Sequence, residues 1–130
     1  MFLLSTISRD ERDRVSRYVF KRDAKQTLLG QVLIRYCLKL LLNTDTNNVC
    51  IARNPKERPY LKVKETLAQA KLASIDCLID FNVSHNGDYT IVCAGSRSCS
   101  WKKLDEFEGA FRIGTDVMKI DVRTNLVIIF

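Results

Sequence analysis

The side chains able to do chemistry fall in four places. A basic loop, Arg53-Asn54-Pro55-Lys56-Glu57-Arg58-Pro59, carries arginine and lysine and is stiffened by two prolines. The single histidine, His85, stands in Ser84-His85-Asn86-Gly87-Asp88, a run with turn chemistry. Arg14 and Arg17 lie on the polar side of an early helical pattern. Asp116 closes the short run Arg112-Ile113-Gly114-Thr115-Asp116-Val117-Met118. With a net charge of +6, clustered cations point to a polyanionic partner: nucleic acid, an acidic protein surface or a phosphorylated cofactor. The cysteines Cys37, Cys50, Cys77, Cys93 and Cys99 form no CxxC pair. With one histidine in the chain, that spacing argues against zinc. It also fits reduced thiols, packed as small hydrophobes, better than a disulfide framework.

Taken alone, each feature has an ordinary reading. Arg14 and Arg17 fit a solvated helix face. A histidine beside a turn is commonly structural, an aspartate at a strand end commonly caps it, and Lys56 and Arg58 fit a plain surface loop.

The elements that must position these residues are legible in part. Ser8 caps a helix running to about Phe20, with Asp10 and Glu11 at the positive end of its dipole. Val15, Tyr18 and Val19 are expected to face inward. Asp23 is expected to cap a second helix from about Ala24 to Leu42. There Leu28, Val32, Tyr36 and Leu40, and also Leu29, Leu33, Cys37 and Leu41, recur every four residues. So wide an apolar stripe predicts burial on most of the helix surface. Val49 to Ala52 reads as a strand, Tyr60 to Val63 as an edge strand, and Lys64 to Ile75 as a helical turn or two. Cys77 to Val83 and Tyr89 to Ala94 read as neighbouring strands joined through Ser84 to Asp88. Arg112 to Met118 reads as a further strand.

Four segments in order carry a resemblance. Phe81-Asn82-Val83-Ser84-His85-Asn86-Gly87-Asp88-Tyr89 is similar to the FN(I/V)SHxGDY signature of Sfp-type 4'-phosphopantetheinyl transferases of the animal aminoadipate-semialdehyde dehydrogenase-modifying kind. Tyr18-Val19-Phe20-Lys21-Arg22-Asp23-Ala24-Lys25, followed by Gly30 and Ile34-Arg35, resembles the family's FVFxRDAK helix pair. The loop from Arg53 to Pro59 resembles RxxKGKP, and Ile113 to Lys119 resembles (V/I)G(I/T)D(I/V)MK.

The resemblance implies an α+β fold, one lobe of a pseudo-dimer in which helices pack on a mostly antiparallel sheet, here without that lobe's first strand. It implies a lobe over 1–122, an insertion at 96–111 and an apolar tail at 123–130. It implies coenzyme A as substrate, held by Arg14, by Arg53, Asn54, Pro55, Lys56, Glu57 and Arg58, and by Asn82, Val83, Ser84 and His85. Mg2+ is implied at Asp116. The partners implied are acyl or peptidyl carrier protein domains, of the fatty acid synthase and aminoadipate-semialdehyde dehydrogenase type, whose serine receives the 4'-phosphopantetheine arm. Lysine metabolism and the cytosol are the implied setting. The residue types suit this chemistry. Arginine grips phosphate oxygens in pairs and lysine adds a point charge, while Mg2+ commonly takes one or two carboxylates and leaves room for phosphates.

The sequence also departs from the family pattern. Glu57 stands where the loop commonly has glycine, and Asn86 where glutamine is frequent. The WxxKE motif, which supplies a second metal-binding carboxylate and general base, does not follow Asp116. Trp101-Lys102-Lys103-Leu104 precedes Asp116 and lacks the Lys-Glu pair. The expectation is therefore a truncated or mis-spliced reading of the gene. Such a chain is inactive alone, has no catalytic residue of its own and tends to self-associate, where the family is monomeric. The alternative is a non-catalytic remnant that binds coenzyme A or docks carrier proteins. A nucleic-acid binder is disfavoured, since no zinc finger, RRM or KH signature is present and no aromatics interleave the basic clusters. No apolar run is long enough for a bilayer span.

Overall fold

The computed structural model describes residues 2–72, 77–98 and 112–119. The chain opens with a short helix α1 (Phe2–Ser5), then α2 (Arg9–Ser16), the long α3 (Lys21–Leu42) and a 3-10 turn at Thr46–Asn48. Strands β1 (Ile51–Arg53) and β2 (Pro59–Leu61) flank the basic loop, and α4 (Val63–Ala70) follows. Strands β3 (Cys77–Asn86) and β4 (Tyr89–Ser98) form a long hairpin. Both pairs are antiparallel, Ile51 opposite Leu61 in the first and Val83 opposite Val92 in the second. The α+β architecture expected from the sequence is present, as two separate two-stranded ladders among the described residues.

Helix α2 begins as a capping box. The Glu11 N–H donates to Ser8 Oγ, and the Ser8 N–H donates to Glu11 Oε2 at 2.6 Å. Two of the donors that every helix start leaves bare are thereby satisfied. The helix stops at Ser16 rather than near Phe20. Tyr18 is 38% and Val19 90% exposed, so the inward face expected for Val15, Tyr18 and Val19 is not formed by the last two. Four residues of connection free Phe20 to act as the N-cap of α3, which starts at Lys21 without a side-chain cap. Asp23 is therefore in the first turn of α3 and is not its cap. Its carboxylate still suits the positive end of the dipole.

Helix α3 ends at Asn43, whose left-handed backbone (φ 49°) lets its N–H reach Lys39 O. Its buried face differs from either expected stripe: Gly30, Gln31, Ile34, Arg35, Leu38 and Leu42 are buried, while Tyr36 and Leu40 are exposed. Ile34, Leu38 and Leu42 join Val49, Leu61 and Phe81 in one core, with Ile79, Val83 and Val92 of the hairpin packed around it. At Gly30 helix and hairpin come close; a Cβ there would lie 3.2 Å from Val83 Cγ2.

Two polar residues on the buried face are explained by a partner on another helix. The Arg35 guanidinium donates from Nε and Nη2 to Glu11 Oε2 at 3.2 and 2.9 Å. Its Nη1 serves the carbonyls of Thr46 and Val49, so it also closes the end of the 3-10 turn. Gln31, with its amide nitrogen toward Glu11 Oε1 at 2.9 Å, fills the other carboxylate oxygen.

The hairpin turn is only Gly87-Asp88, with Gly87 at φ +61° as its first central residue requires. Ser84, His85 and Asn86 are thus strand residues and not part of the turn. Arg22 Nε and the Gln26 amide of α3 both donate to the Gly87 carbonyl, which pins the hairpin tip to the helix. Residues 112–119 are not a ladder strand. They form an extended segment running parallel to β3 at a constant offset of 33 residues. The Ile113, Val117 and Lys119 N–H groups donate to the side chains of Asp80, Ser84 and Asn86. Strand β4 continues through Ser98, so 96–98 prolong the hairpin. The rest of the expected insertion, Trp101 and the 123–130 tail lie outside the described residues. Among the described residues Cys37, Cys50 and Cys93 carry free thiols. Among the described residues no helix is long and apolar enough to cross a membrane.

Candidate functional site

The basic loop owes its shape to Asn54. Its Oδ1 accepts from the Lys56 N–H at 3.0 Å and the Arg58 N–H at 2.9 Å, and its carbonyl accepts from the Glu57 N–H at 2.8 Å. An asparagine that bonds backbone two and four residues on is a local turn former. Pro55 supplies a fixed φ inside that turn. The wrap brings Glu57 into the left-handed region at φ 62°, a conformation costing a non-glycine residue of order 1 kcal/mol.

Two arginines converge on Glu57. Arg14, from α2, sets Nη1 2.6 Å from Glu57 Oε2. Arg53, at the end of β1, donates Nη1 to the Glu57 carbonyl and Nη2 to the Gln31 oxygen at 2.7 Å. Burial first, and then the positive charge of Arg14, lowers the Arg53 pKa from its ordinary value. Arginine stays charged through such shifts, so two cations are held near one another on a half-buried face. A relay of hydrogen bonds fixes this placement, running from Arg35 through Glu11 and Gln31 to Arg53.

Arg58 is used differently. Its Nη2 pairs with Asp80 Oδ2 at 2.9 Å and reaches the Ile113 carbonyl at 3.4 Å. It therefore braces the 112–119 segment as well as adding charge. Lys56 is exposed at the loop tip, beside Pro55.

Along β3, alternation splits the Asn82–His85 segment. Val83 turns toward α3, against Gly30, and is part of the core packing, so only its backbone is open to a ligand. Ser84 turns the other way, donating its hydroxyl to Asp116 Oδ1 at 2.6 Å. The Val117 N–H donates to the same oxygen at 2.9 Å, so the carboxylate is held from two sides. His85 is exposed near the hairpin tip. Asp116 is also exposed. Among the described residues no group of three or more His, Cys, Asp or Glu is assembled to hold a metal. A single oriented, solvent-facing carboxylate is nonetheless what Mg2+ takes from a protein when phosphates and waters supply the rest. Asp116 fits that description.

The structure thus gathers Arg14, Arg53, Asn54 and Glu57 in one cluster, and Ser84 and Asp116 in another, with Arg58 and Asp80 between them. Sequence reasoning missed Glu11, Gln31, Arg35 and Asp80. Asp80 had a signal, a lone acid inside the apolar run Cys77 to Val83. Ser8 and Glu11 at capping-box spacing were a signal too.

The α+β lobe thus displays two arginines against one loop and an oriented aspartate. Residues 1–97 match the family described as 4'-phosphopantetheinyl transferase, N-terminal. Similar proteins include the L-aminoadipate-semialdehyde dehydrogenase-phosphopantetheinyl transferase of Rattus norvegicus, 30% identical over 119 residues, 92% of this chain and 32% of that protein. The Homo sapiens protein of the same name is 27% identical over 92% of this chain and 32% of its own length. The 4'-phosphopantetheinyl transferase gsp of Aneurinibacillus migulanus is 32% identical over 72% of this chain and 33% of its own. The chain belongs to the 4'-phosphopantetheinyl transferase family, a family of enzymes, and corresponds to its N-terminal part. It spans about a third of the length of these relatives.

Proposed function

We propose that this chain supplies the coenzyme A-gripping lobe of a Mg2+-dependent 4'-phosphopantetheinyl transferase. The observation that carries this reading is the convergence of Arg14 and Arg53 on one loop, two guanidiniums that a pyrophosphate-bearing ligand can satisfy better than water. Lys56 adds a point charge at the loop tip. Ser84 orients Asp116, the carboxylate that would hold the metal. When bound, Mg2+ neutralises charge on the phosphate undergoing transfer.

In the reaction so assigned, a serine oxygen of an acyl or peptidyl carrier protein forms a bond to the phosphorus carrying the pantetheine arm. The bond from that phosphorus to the nucleotide breaks, and 3',5'-ADP leaves with the electron pair. The serine proton must depart as its oxygen attacks; none of the residues described is assigned that task. The contribution of this lobe is positioning and charge, the two terms on which phosphoryl transfer chiefly depends. Carrier domains of the aminoadipate-semialdehyde dehydrogenase type are the partners proposed, following the relatives' names.

Calorimetric titration with coenzyme A tests the reading. The parent chain is expected to bind with an affinity that falls as salt rises. Arg53→Ala is expected to cost roughly 1.5–3 kcal/mol of binding, the value of a charge-assisted hydrogen bond. If Arg53→Ala binds as the parent does, or salt has no effect, the loop is not a phosphate site.

A further inference from the structure

Glu57 touches both arginines at once, its carboxylate on Arg14 and its carbonyl on Arg53. We infer that the Glu57 carboxylate is an internal counter-anion, seated where an incoming phosphate would bind Arg14 and displaced by it. The inference rests on the coenzyme A reading for the identity of the natural ligand, while its physical content concerns anions in general.

Three observations support it. Arg14 donates only through Nη1 to Glu57, while its Nε is buried and has no partner among the described residues. A guanidinium has five donors arranged to meet a forked anion, so a single contact leaves it under-satisfied. Glu57 is the readily released partner, its side chain 67% exposed against 36% for Arg14. A carboxylate that exposed loses little on returning to water. Finally, the loop holds Glu57 in the left-handed region at φ 62° although it is not glycine. The Asn54 turn enforces that placement, and the carboxylate is thereby aimed at α2.

The consequence is selectivity by charge. A weak monoanion gains nothing by exchanging with a carboxylate already in place. A pyrophosphate group, with more charge and oxygens for both Arg14 and Arg53, gains on each. Glu57 lowers affinity for every anion and lowers it most for those that cannot bridge the pair.

The test uses the full chain and its variants Glu57→Gln, Arg14→Ala and Arg14→Ala/Glu57→Gln, titrated with inorganic pyrophosphate and with coenzyme A. Glutamine bears the same backbone cost at φ 62°, so it isolates the charge. Glu57→Gln is expected to bind pyrophosphate about tenfold more tightly, the size of one charge-assisted bond regained. The gain is expected to vanish in the Arg14→Ala background, where general electrostatics would preserve it. A Glu57→Gln affinity for pyrophosphate within about twofold of the parent, or a gain that survives without Arg14, overturns the inference. Coenzyme A binding that Arg53→Ala abolishes, with no Glu57→Gln gain for pyrophosphate, would overturn it while upholding the proposed function. A pyrophosphate gain without coenzyme A binding in any variant would uphold it and overturn the proposed function.

Discussion

Replacing Glu11 by alanine removes one carboxylate and unsettles three elements. Glu11 is 9% and Arg35 5% exposed. The substitution leaves Arg35 as a buried cation with only the Thr46 and Val49 carbonyls for company. Breaking a buried pair on one side costs about 3–5 kcal/mol. Losing the reciprocal half of the capping box adds about 1 kcal/mol, so the sum is about 4–6 kcal/mol. Domains of this size hold roughly 5–15 kcal/mol in all, so Glu11→Ala should be close to unfolding at room temperature. Urea unfolding followed by far-UV circular dichroism measures this. Arg35→Met should cost a comparable amount, since it strands Glu11 and the two carbonyls. The double variant should cost clearly less than the sum, because the pair is then removed from both ends. A Glu11→Ala loss below about 1 kcal/mol would refute the reasoning and place Arg35 in contact with water.

Three further outcomes are expected. Gly87→Ala should lower stability by about 1–2 kcal/mol, because φ is +61° and the new Cβ would sit 3.1 Å from Lys119 Cδ; unfolding midpoints check this. Arg58→Ala should lower stability and coenzyme A affinity together, since it removes the cation paired with the buried Asp80 and leaves that carboxylate only the Ile113 N–H, whereas Lys56→Ala should lower affinity alone; paired melting and binding measurements separate the two. Burial first, and then the nearby Cys93, raise the Cys37 pKa. Iodoacetamide should therefore modify Cys37 more slowly than Cys93, its rate rising only at higher pH. The native state holds that proton more tightly, so stability falls as pH climbs past the free-thiol range.

Much of the frame was legible because its signals are local. Ser8, Asp10 and Glu11 announced a helix start, and Asn86-Gly87-Asp88 between apolar runs announced a hairpin. Its misses share a cause: the deciding partner lies far along the chain. Periodicity offered two leucine stripes on α3, yet the face that turns inward carries Gln31 and Arg35, made tolerable by Glu11 on another helix. The break between α2 and α3 carries neither glycine nor proline, so nothing local marked it. Residues 112–118 alternate as a strand does, but side chains of β3 hold their backbone where a ladder was expected. At the site, residue types could nominate Arg14, Arg53 and Asp116. They could not reveal that Asn54 shapes the loop from within or that Glu57 already occupies Arg14.

The way the 112–119 segment is attached has a kinetic meaning. A strand zipped into a sheet by its backbone separates only when the sheet does. This segment is fastened by side-chain bonds to Asp80, Ser84 and Asn86 and by the brace from Arg58. It can peel away while the β3–β4 hairpin stays intact, at a small fraction of the free energy of global unfolding. Its partners lie 33 residues distant in sequence, so chain closure delays its arrival until the hairpin exists to receive it. Asp116 travels with it. The carboxylate held by Ser84 is therefore expected to come free before the hairpin opens, and amide hydrogen exchange at Val117, compared with the hairpin amides, measures that order.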